Sequence, residues 1–567
     1  MKKIVSGFFI LAFFSFFLCA QVSVDPRNEF YSDAIGWELK GYIKNLPQLK
    51  PYPVNVIEKI LEAVIENGEP SEKECARKYY NIYFGKKWHA ALDGEYKVKL
   101  YSLEDTENDN AKRFEFSQVF SPELSFGTDL KLNDYTGIGF NAGLRTIINN
   151  DDICDVLPKY VSISDFEVPS FFKFEKGDTD FLPDLNGIVT FGNDKLYGFA
   201  GYNRIGYGIF PSTDLYLNPN ADQMINFALN YEGEAFKYVQ MFSLIGARHV
   251  YETDSFTMNK YLGFHSLNIP LFERKLDVSL VESVVFGNHF TPDYFIPVPW
   301  FIISNVSGEV ENVFSGVKLV YKPLPCIALN FESLFDSFNY KKLLKLKLED
   351  AAIRTAMSAG IAYTPFDSIC KLITCDFTLV TPYTYTSFDS SSKTYNYTDY
   401  TNFGKGIGCE LLPNSDRVVL SLKFNPVKQL TIVTSSSYMR HANQYEDLEP
   451  EEVINSQLYA TDGSFYQTTQ KIESSEDSTN FLTQEHKMYI MQAGIDFSYS
   501  LLLKKTSQVS VTGGYTFEYI ENDGVDKSIY SGTYSDETEV LADKKIWIDN
   551  LHNSYNHYFR IGVKIIY

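Results

Sequence analysis

Beyond its first twenty residues the chain has no apolar run near the length of a helical membrane span, which takes about 20 residues. It is short of basic charge: 51 Lys and Arg stand against 72 Asp and Glu, leaving a net charge of −21. That balance excludes nucleic acid as a ligand, because phosphate binding requires a basic patch. Cysteine is scarce, seven in 567 residues, and Cys370 and Cys375 are the one close pair. No zinc-like spacing results, so no metal site is expected, and disulfide partners stay open. There is no HExxH, no P-loop and no Gly-x-Ser-x-Gly elbow, and the eight His are dispersed. Neither enzymatic activity nor a cofactor is expected. No Pro/Gly/Ser linker divides the chain, although a soluble protein this long would hold roughly three or four domains.

What is present lies first at the two ends. Lys2 and Lys3 precede an apolar stretch, 4–18, followed by Cys19, Ala20 and Gln21. This predicts a secretory signal peptide over 1–20. Lipidation at Cys19 ranks second, because Leu18 is larger than a lipidation enzyme normally accepts before its cysteine. At the other end, Phe559, Ile561, Val563, Ile565 and Tyr567 are apolar at every second position, and Tyr558, Arg560, Gly562 and Lys564 form the opposite face. A period of two predicts a strand with one greasy face, here ending on an aromatic residue. An exported chain without helical spans enters a membrane only as a closed barrel. The terminal strand resembles the signal that barrel-assembly machinery reads. Aromatics at 16% suit the girdles of such a barrel at its two membrane interfaces.

Residues 21–88 read as a small periplasmic helical domain. Trp37, Leu39, Tyr42 and Ile43 fall at helical spacing before Pro47. Ile57, Ile60, Leu61, Val64 and Ile65 form one apolar face, and Ser71, with Glu74 three residues on, predicts the N-cap of a third helix. From 89 to 567 alternation replaces the helical period. In 138–148, Ile138, Phe140, Ala142, Leu144 and Ile148 face one way, and Gly139, Asn141, Gly143 and Arg145 the other. The pattern predicts about 18 antiparallel strands, with tight turns alternating with long loops. Among the strands are 186–191, 261–269 and 371–386; 404–411 is an extra candidate that would break the even count. The stretches 446–487 and 521–555 are acidic and read as solvated external loops, with a calcium site as the lesser alternative.

Several segments resemble the capsule-assembly Wzi family of outer-membrane barrels. They are NRIGYGIFPSTDLYLNPNAD at 203–222, DFTLVTPYTYT at 376–386, YTNFGKGIGCELLPNSD at 400–416 and YMRHANQ at 438–444. The resemblance implies an all-β transmembrane barrel of 18 strands, a periplasmic helical bundle and attachment of surface polysaccharide. Outer-membrane lipid, the assembly machinery and surface polysaccharide are then the expected partners of a monomer reaching the outer membrane by signal-peptide export. Sugar binding needs aromatic faces and planar polar groups. Tyr383, Tyr385, Tyr400, Arg440 and His441 are the candidate glycan patch, Tyr400 in a loop and the others near the external ends of their strands. Inward Arg145, Arg354, Arg417 and Arg560 either line an anion path or pair with carboxylates such as Glu518 and Asp496. The alternative function is a porin, a diffusion channel for small solutes, since wide barrels can leave a wet lumen.

Overall fold

The computed structural model describes residues 25–86, 88–103, 113–149, 155–159, 174–210, 214–249, 255–288, 290, 294, 311–337, 354–387, 394–456, 481–504, 506–530 and 534–567. The segment 1–20 and Cys154 lie outside them. Eighteen antiparallel strands close into a barrel. They are β1 Trp88–Leu103, β2 Arg113–Asn133, β3 Thr136–Ile148, β4 Thr179–Gly192, β5 Leu196–Asn203 and β6 Met224–Glu232. Next come β7 Lys237–Arg248, β8 Phe256–Leu271, β9 Leu276–Gly287, β10 Glu311–Tyr321, β11 Ile327–Ser337 and β12 Arg354–Tyr363. The last six are β13 Cys370–Val380, β14 Ser415–Val427, β15 Leu430–Ala442, β16 Lys487–Lys504, β17 Ser507–Asp523 and β18 His552–Ile566. The seam joins β1 to β18, with Ala91 opposite Ile566. Ala90 and Tyr567 exchange backbone hydrogen bonds of 3.2 and 2.9 Å at this seam. Lys86 Nζ sits 4.0 Å from the Tyr567 ring centre.

At one end the connections are short, from two residues (134–135) to six (364–369). Gly192 shows why such a turn is particular: its φ is +104°, and a Cβ there would lie 2.2 Å from the Leu196 carbonyl oxygen. The extra segment 404–411 adds no wall strand. Its Lys405–Gly406 pairs only with Thr401–Asn402, and the even count holds. Several strands run longer than the alternation indicates, β4 and β8 among them. In β4, Asp180, Pro183 and Asp184 interrupt the apolar pattern, yet Asp184 is an inward acceptor for Gln223 at 2.8 Å. β8 extends past both ends of 261–269. Conversely 371–386 ends as a strand at Val380.

The faces fall as the alternation predicts. Phe140 and Leu144 are exposed outward, whereas Arg145 points inward and pairs with Glu123 at 2.7 Å. Gly143 makes room for that pair; its Cβ would stand 3.1 Å from the Glu123 carboxylate. On β18, Phe559, Ile561, Val563, Ile565 and Tyr567 are all exposed on the outer face. An outward patch on β8 and β9 breaks the apolar pattern: His265 and Glu282 pair at 2.9 Å, both buried. Gln240 beside them donates to the Tyr294 carbonyl at 3.0 Å.

The helices α1 Glu29–Leu39, α2 Val54–Asn67 and α3 Pro70–Phe84 precede the wall. Asn28 caps α1 by accepting from the Phe30 amide, and Gly41, at φ +80°, follows its end. Ser71 is not the N-cap of α3. Pro70 takes the first helical position, where a missing N–H costs nothing, and Glu69 becomes the cap residue. The helices share one core with inward residues of the wall: Phe30, Trp37, Ile57, Leu61 and Val64 pack with Tyr197, Val320, Ala328, Ala362 and Leu372. They therefore plug the short-turn end. Ion pairs seat the plug: Lys423 to Asp33 at 2.6 Å, Lys322 to Glu38 at 3.1 Å and Lys371 to Glu72 at 3.2 Å. Burial pushes the Glu72 carboxyl up, but Lys40 at 2.8 Å, the Trp37 indole at 2.9 Å and Lys371 outweigh it and hold it below the usual value.

Two outcomes are expected. Phe140→Lys should impair refolding by about 2–4 kcal/mol more than Asn141→Lys, because only the first puts an ammonium in lipid; the reverse order in a refolding titration would show the faces exchanged. Glu72→Ala leaves Lys40 buried and unpaired and should destabilise the plug by about 3–5 kcal/mol, read as earlier unfolding of the Trp37 region. A depressed carboxyl stabilises above its unfolded pKa and stops doing so as pH falls through its folded one. The wild-type advantage over Glu72→Ala should thus shrink below the ordinary carboxylate range.

Candidate functional site

Two long connections at the other end turn into the barrel. Residues 204–210 and 214–222 bring Ile205, Tyr207, Leu215, Tyr216 and Leu217 into the main core with inward Val239, Met241, Phe264 and Val281. There Gly206–Tyr207 pairs with Leu49–Lys50, the segment between α1 and α2. Lys318 holds the same connection by bridging Asp214 and Glu332, each at 3.1 Å. Burial raises the Asp214 carboxyl against the pull of Lys318 and Lys50.

The second connection, 381–414, carries the Pro-Tyr-Thr-Tyr motif. Pro382 has no N–H for the ladder, and Tyr383 and Tyr385 take left-handed backbone, φ +61° and +69°. The Tyr385 amide donates to Asp336 at 2.7 Å, holding the turn. The chain thus bends over the lumen where the sequence pattern extended a strand. The Tyr385 ring stacks on Tyr400 at 5.7 Å, and Tyr400 meets Phe314 at 4.5 Å. Their hydroxyls are used internally: Tyr385 donates to the Leu215 carbonyl at 2.7 Å, Tyr400 to the Tyr216 carbonyl at 2.9 Å. Burial pushes both phenols up. The Gly-Ile-Gly motif serves this packing, since a Cβ on Gly408 would lie 2.5 Å from the Leu215 carbonyl and 2.9 Å from the Tyr385 ring. Burial pushes the neighbouring Cys409 thiol up to about 12.

The structure brings Tyr383, Tyr385 and Tyr400 together, but as buried packing inside the barrel and not on an external patch. Arg440 and His441 cannot share a face, being successive residues of one strand. His441 is buried on the inner face, its Nδ1 2.6 Å from Ser415 Oγ. Arg440 is on the outer face, its Nε donating to Asp416 at 3.0 Å. The Pro-Asn-Ser-Asp motif supplies both partners and a third contact: Asn414 donates to Ala442 O at 3.0 Å and accepts from the Leu482 amide at 2.8 Å. The inward arginines are paired or packed. Arg417 meets Glu410 at 2.9 Å, Arg560 meets Asp496 at 2.7 Å, and Arg354 lies 5.6 Å from the Tyr383 ring.

Above this core the described loops form a cap. It comprises a short turn of helix, Gln444–Asp447, then α4 Pro450–Ser456, residues 481–486 and α5 Glu537–Asp549. Lys544 donates to the Glu446 carbonyl at 2.5 Å, and Trp547 packs edge-on to His486 at 5.9 Å. Asn443 ties it to 525–527 through the Val525 and Lys527 carbonyls, at 3.1 and 3.2 Å. The acidic stretches are therefore partly ordered structure. Reading them as plain loops missed α5, whose signal was present: Asp536 caps the Thr538 and Glu539 amides, and Glu539 answers by accepting from Ser535. In the cap, Glu446, Glu485 and His486 bring one possible ligand atom each within 4.8 Å of the others.

No family model and no curated protein matches the chain. Solved structures do. A BenF-like porin from Pseudomonas fluorescens aligns over 83% of this chain and 97% of its own, at 6% identity and TM-score 0.40. OprD of Pseudomonas aeruginosa aligns over 84% and 95%, at 10% identity and TM-score 0.38. Wzi, an Escherichia coli outer-membrane protein involved in group 1 capsule assembly and described as a carbohydrate-binding β-barrel, aligns over 96% of this chain and 99% of its own. That match has 10% identity and TM-score 0.51. The chain is similar to Wzi in fold, as its sequence motifs imply.

Proposed function

We propose that this chain is an outer-membrane barrel that holds surface polysaccharide on its cap. The observation that carries the reading is how the lumen is used. The helical plug and the two inward connections pack against much of the inner wall, and their outer surface supports an ordered cap. A wide barrel built for free diffusion keeps its lumen open; this one is built to hold a surface in place. Export through the segment 1–20, insertion through the terminal strand β18, and work as a monomer without catalysis or cofactor complete the proposal. Wzi is described as carbohydrate-binding, and that property is carried to this chain as part of the same proposal.

Within it, Tyr383, Tyr385 and Tyr400 are positioning residues beneath the cap. The exposed ridge of α5, with Leu541, Lys545 and Ile546, is the contact surface. Tyr385→Ala should lower barrel stability by about 3–5 kcal/mol, as for a buried aromatic, and lose polysaccharide only to the extent that it unfolds. Replacing Leu541, Lys545 and Ile546 together with Ser should reduce polysaccharide retention several-fold while thermal unfolding stays unchanged. Both are read by pairing a binding assay on surface polysaccharides with heat-modifiable gel migration. Full retention by the α5 variant, or no binding of any polysaccharide by the folded wild type, overturns the proposal.

A further inference from the structure

The plug does not meet the wall in the same way all round. Against β10–β13 it packs on apolar inward residues, Val320, Ala328, Ala362 and Leu372. At the short-turn ends of β14–β16 the inward residues beside it are Lys423, Thr431, Ser498 and Ser500, and a cavity of about 510 Å³ is left between them and the helices. That is the size of a small-molecule site.

The helices turn polar faces to this cavity. On α1, Glu29, Ser32, Asp33 and Gly36 recur at helical spacing and line it, with Lys40 just past the helix end. On α3, Ser71, Glu74, Lys78 and Asn81 do the same. An amphipathic helix ordinarily shows such a face to open water; here both faces look into one recess of the wall.

The charge of the lining runs against that of the chain. Six of its residues are basic, Lys40, Arg77, Lys78, Lys371, Lys423 and Lys428, and four are acidic, Glu29, Asp33, Glu72 and Glu74. The whole chain, by contrast, carries −21. Three of the acids are already engaged: Asp33 with Lys423 at 2.6 Å, Glu72 with Lys40 at 2.8 Å and Lys371 at 3.2 Å, and Glu74 with Lys428 at 2.6 Å. Arg77 and Lys78 make no ion pair or hydrogen bond among the described residues. They are the cations left for a ligand.

The facing wall offers neutral groups. Thr431 and Ser498 stand opposite each other on β15 and β16. Thr431 accepts from Asn425 at 3.0 Å and keeps its own proton to donate. The Ser498 hydroxyl makes no hydrogen bond among the described residues. A ligand that uses both sides carries negative charge at one end and hydroxyls at the other. A plain anion leaves Thr431 and Ser498 unused, and a neutral sugar leaves Arg77 and Lys78 unused.

We propose that this cavity binds an anionic sugar, a small saccharide bearing a carboxylate or a phosphate. The charged group sits on Arg77 and Lys78, and the hydroxyls on Thr431 and Ser498. The ligand enters from the short-turn end, where the Lys428–Glu74 pair at the cavity edge has side chains 69 and 51% exposed. That end is opposite the cap, so this site is separate from the proposed polysaccharide surface and does not rest on it.

Titration calorimetry on the full mature chain in detergent tests the site. Glucuronate and glucose 6-phosphate are the probes; glucose and inorganic phosphate are the controls. At least one probe should bind one to one, about tenfold or more tighter than glucose and than phosphate, and which probe does so names the charged group. Arg77→Ala combined with Lys78→Ala should weaken that binding about tenfold or more, the loss expected for a charge-assisted hydrogen bond. Ser498→Phe should fill the cavity and abolish binding while heat-modifiable migration stays native. Lys59→Ala, which breaks an exposed pair with Asp194 from α2, should leave binding unchanged. No binding of either probe by the folded wild type overturns the proposal. So does binding that ignores the Arg77 and Lys78 substitutions, or glucose held as tightly as the probes. Phosphate held as tightly as glucose 6-phosphate would mark a plain anion site and overturn the sugar assignment.

Discussion

A wall of eighteen strands encloses more space than its own inward side chains can fill, and the rest of the structure follows from how that space is occupied. The wall is satisfied by closure: every strand has two neighbours, and Ala90 and Tyr567 complete the last ladder. Closure says nothing about the inside. Apolar inward residues such as Val239, Phe264 and Ala362 need a packing partner, and α1–α3 and the segments 204–210, 214–222, 381–387 and 394–414 supply it. The small Gly408 and the left-handed Tyr383 and Tyr385 are the local adjustments that let a connecting segment lie against such a wall.

Filling one side leaves the other to be satisfied by charge. Where no described plug residue packs on the wall, the inward positions are Asp93, Glu95, Arg560 and Lys564, each with an opposite charge in reach and its side chain partly exposed. The pairs are modest when so exposed, so they tolerate exposure that the tyrosine cluster does not. The same protein thus carries a dry scaffold under its cap and a row of partly exposed charge pairs along another part of the inner wall. The first serves the proposed anchoring of polysaccharide.

Much of the wall was legible because its period is exposed on every strand: alternation fixed the faces of Phe140 and Arg145, and tight turns such as 134–135 fixed the order. The interior was not legible for a physical reason. The Pro-Tyr-Thr-Tyr motif alternates like a strand, and only the missing ladder partner and the positive φ values turn it inward. Tyrosines look like girdle or sugar-binding residues until their hydroxyls are found on the Leu215 and Tyr216 carbonyls. Arg440 and His441 were read as one patch although the two-residue period puts neighbours on opposite faces. In β4 the reverse occurred: inward Asp180 and Asp184 hid the first half of a strand because charge in a polar lumen reads like a loop.

The packed part of the lumen is the claim on which the proposed function stands. It is tested by thiol labelling of the folded barrel, with native cysteines replaced and either Ser498→Cys or Val239→Cys introduced. A water-soluble maleimide should label the Ser498→Cys protein before unfolding and the Val239→Cys protein only after it. Equal labelling of both in the folded state would mean an open, water-filled lumen and contradict the account.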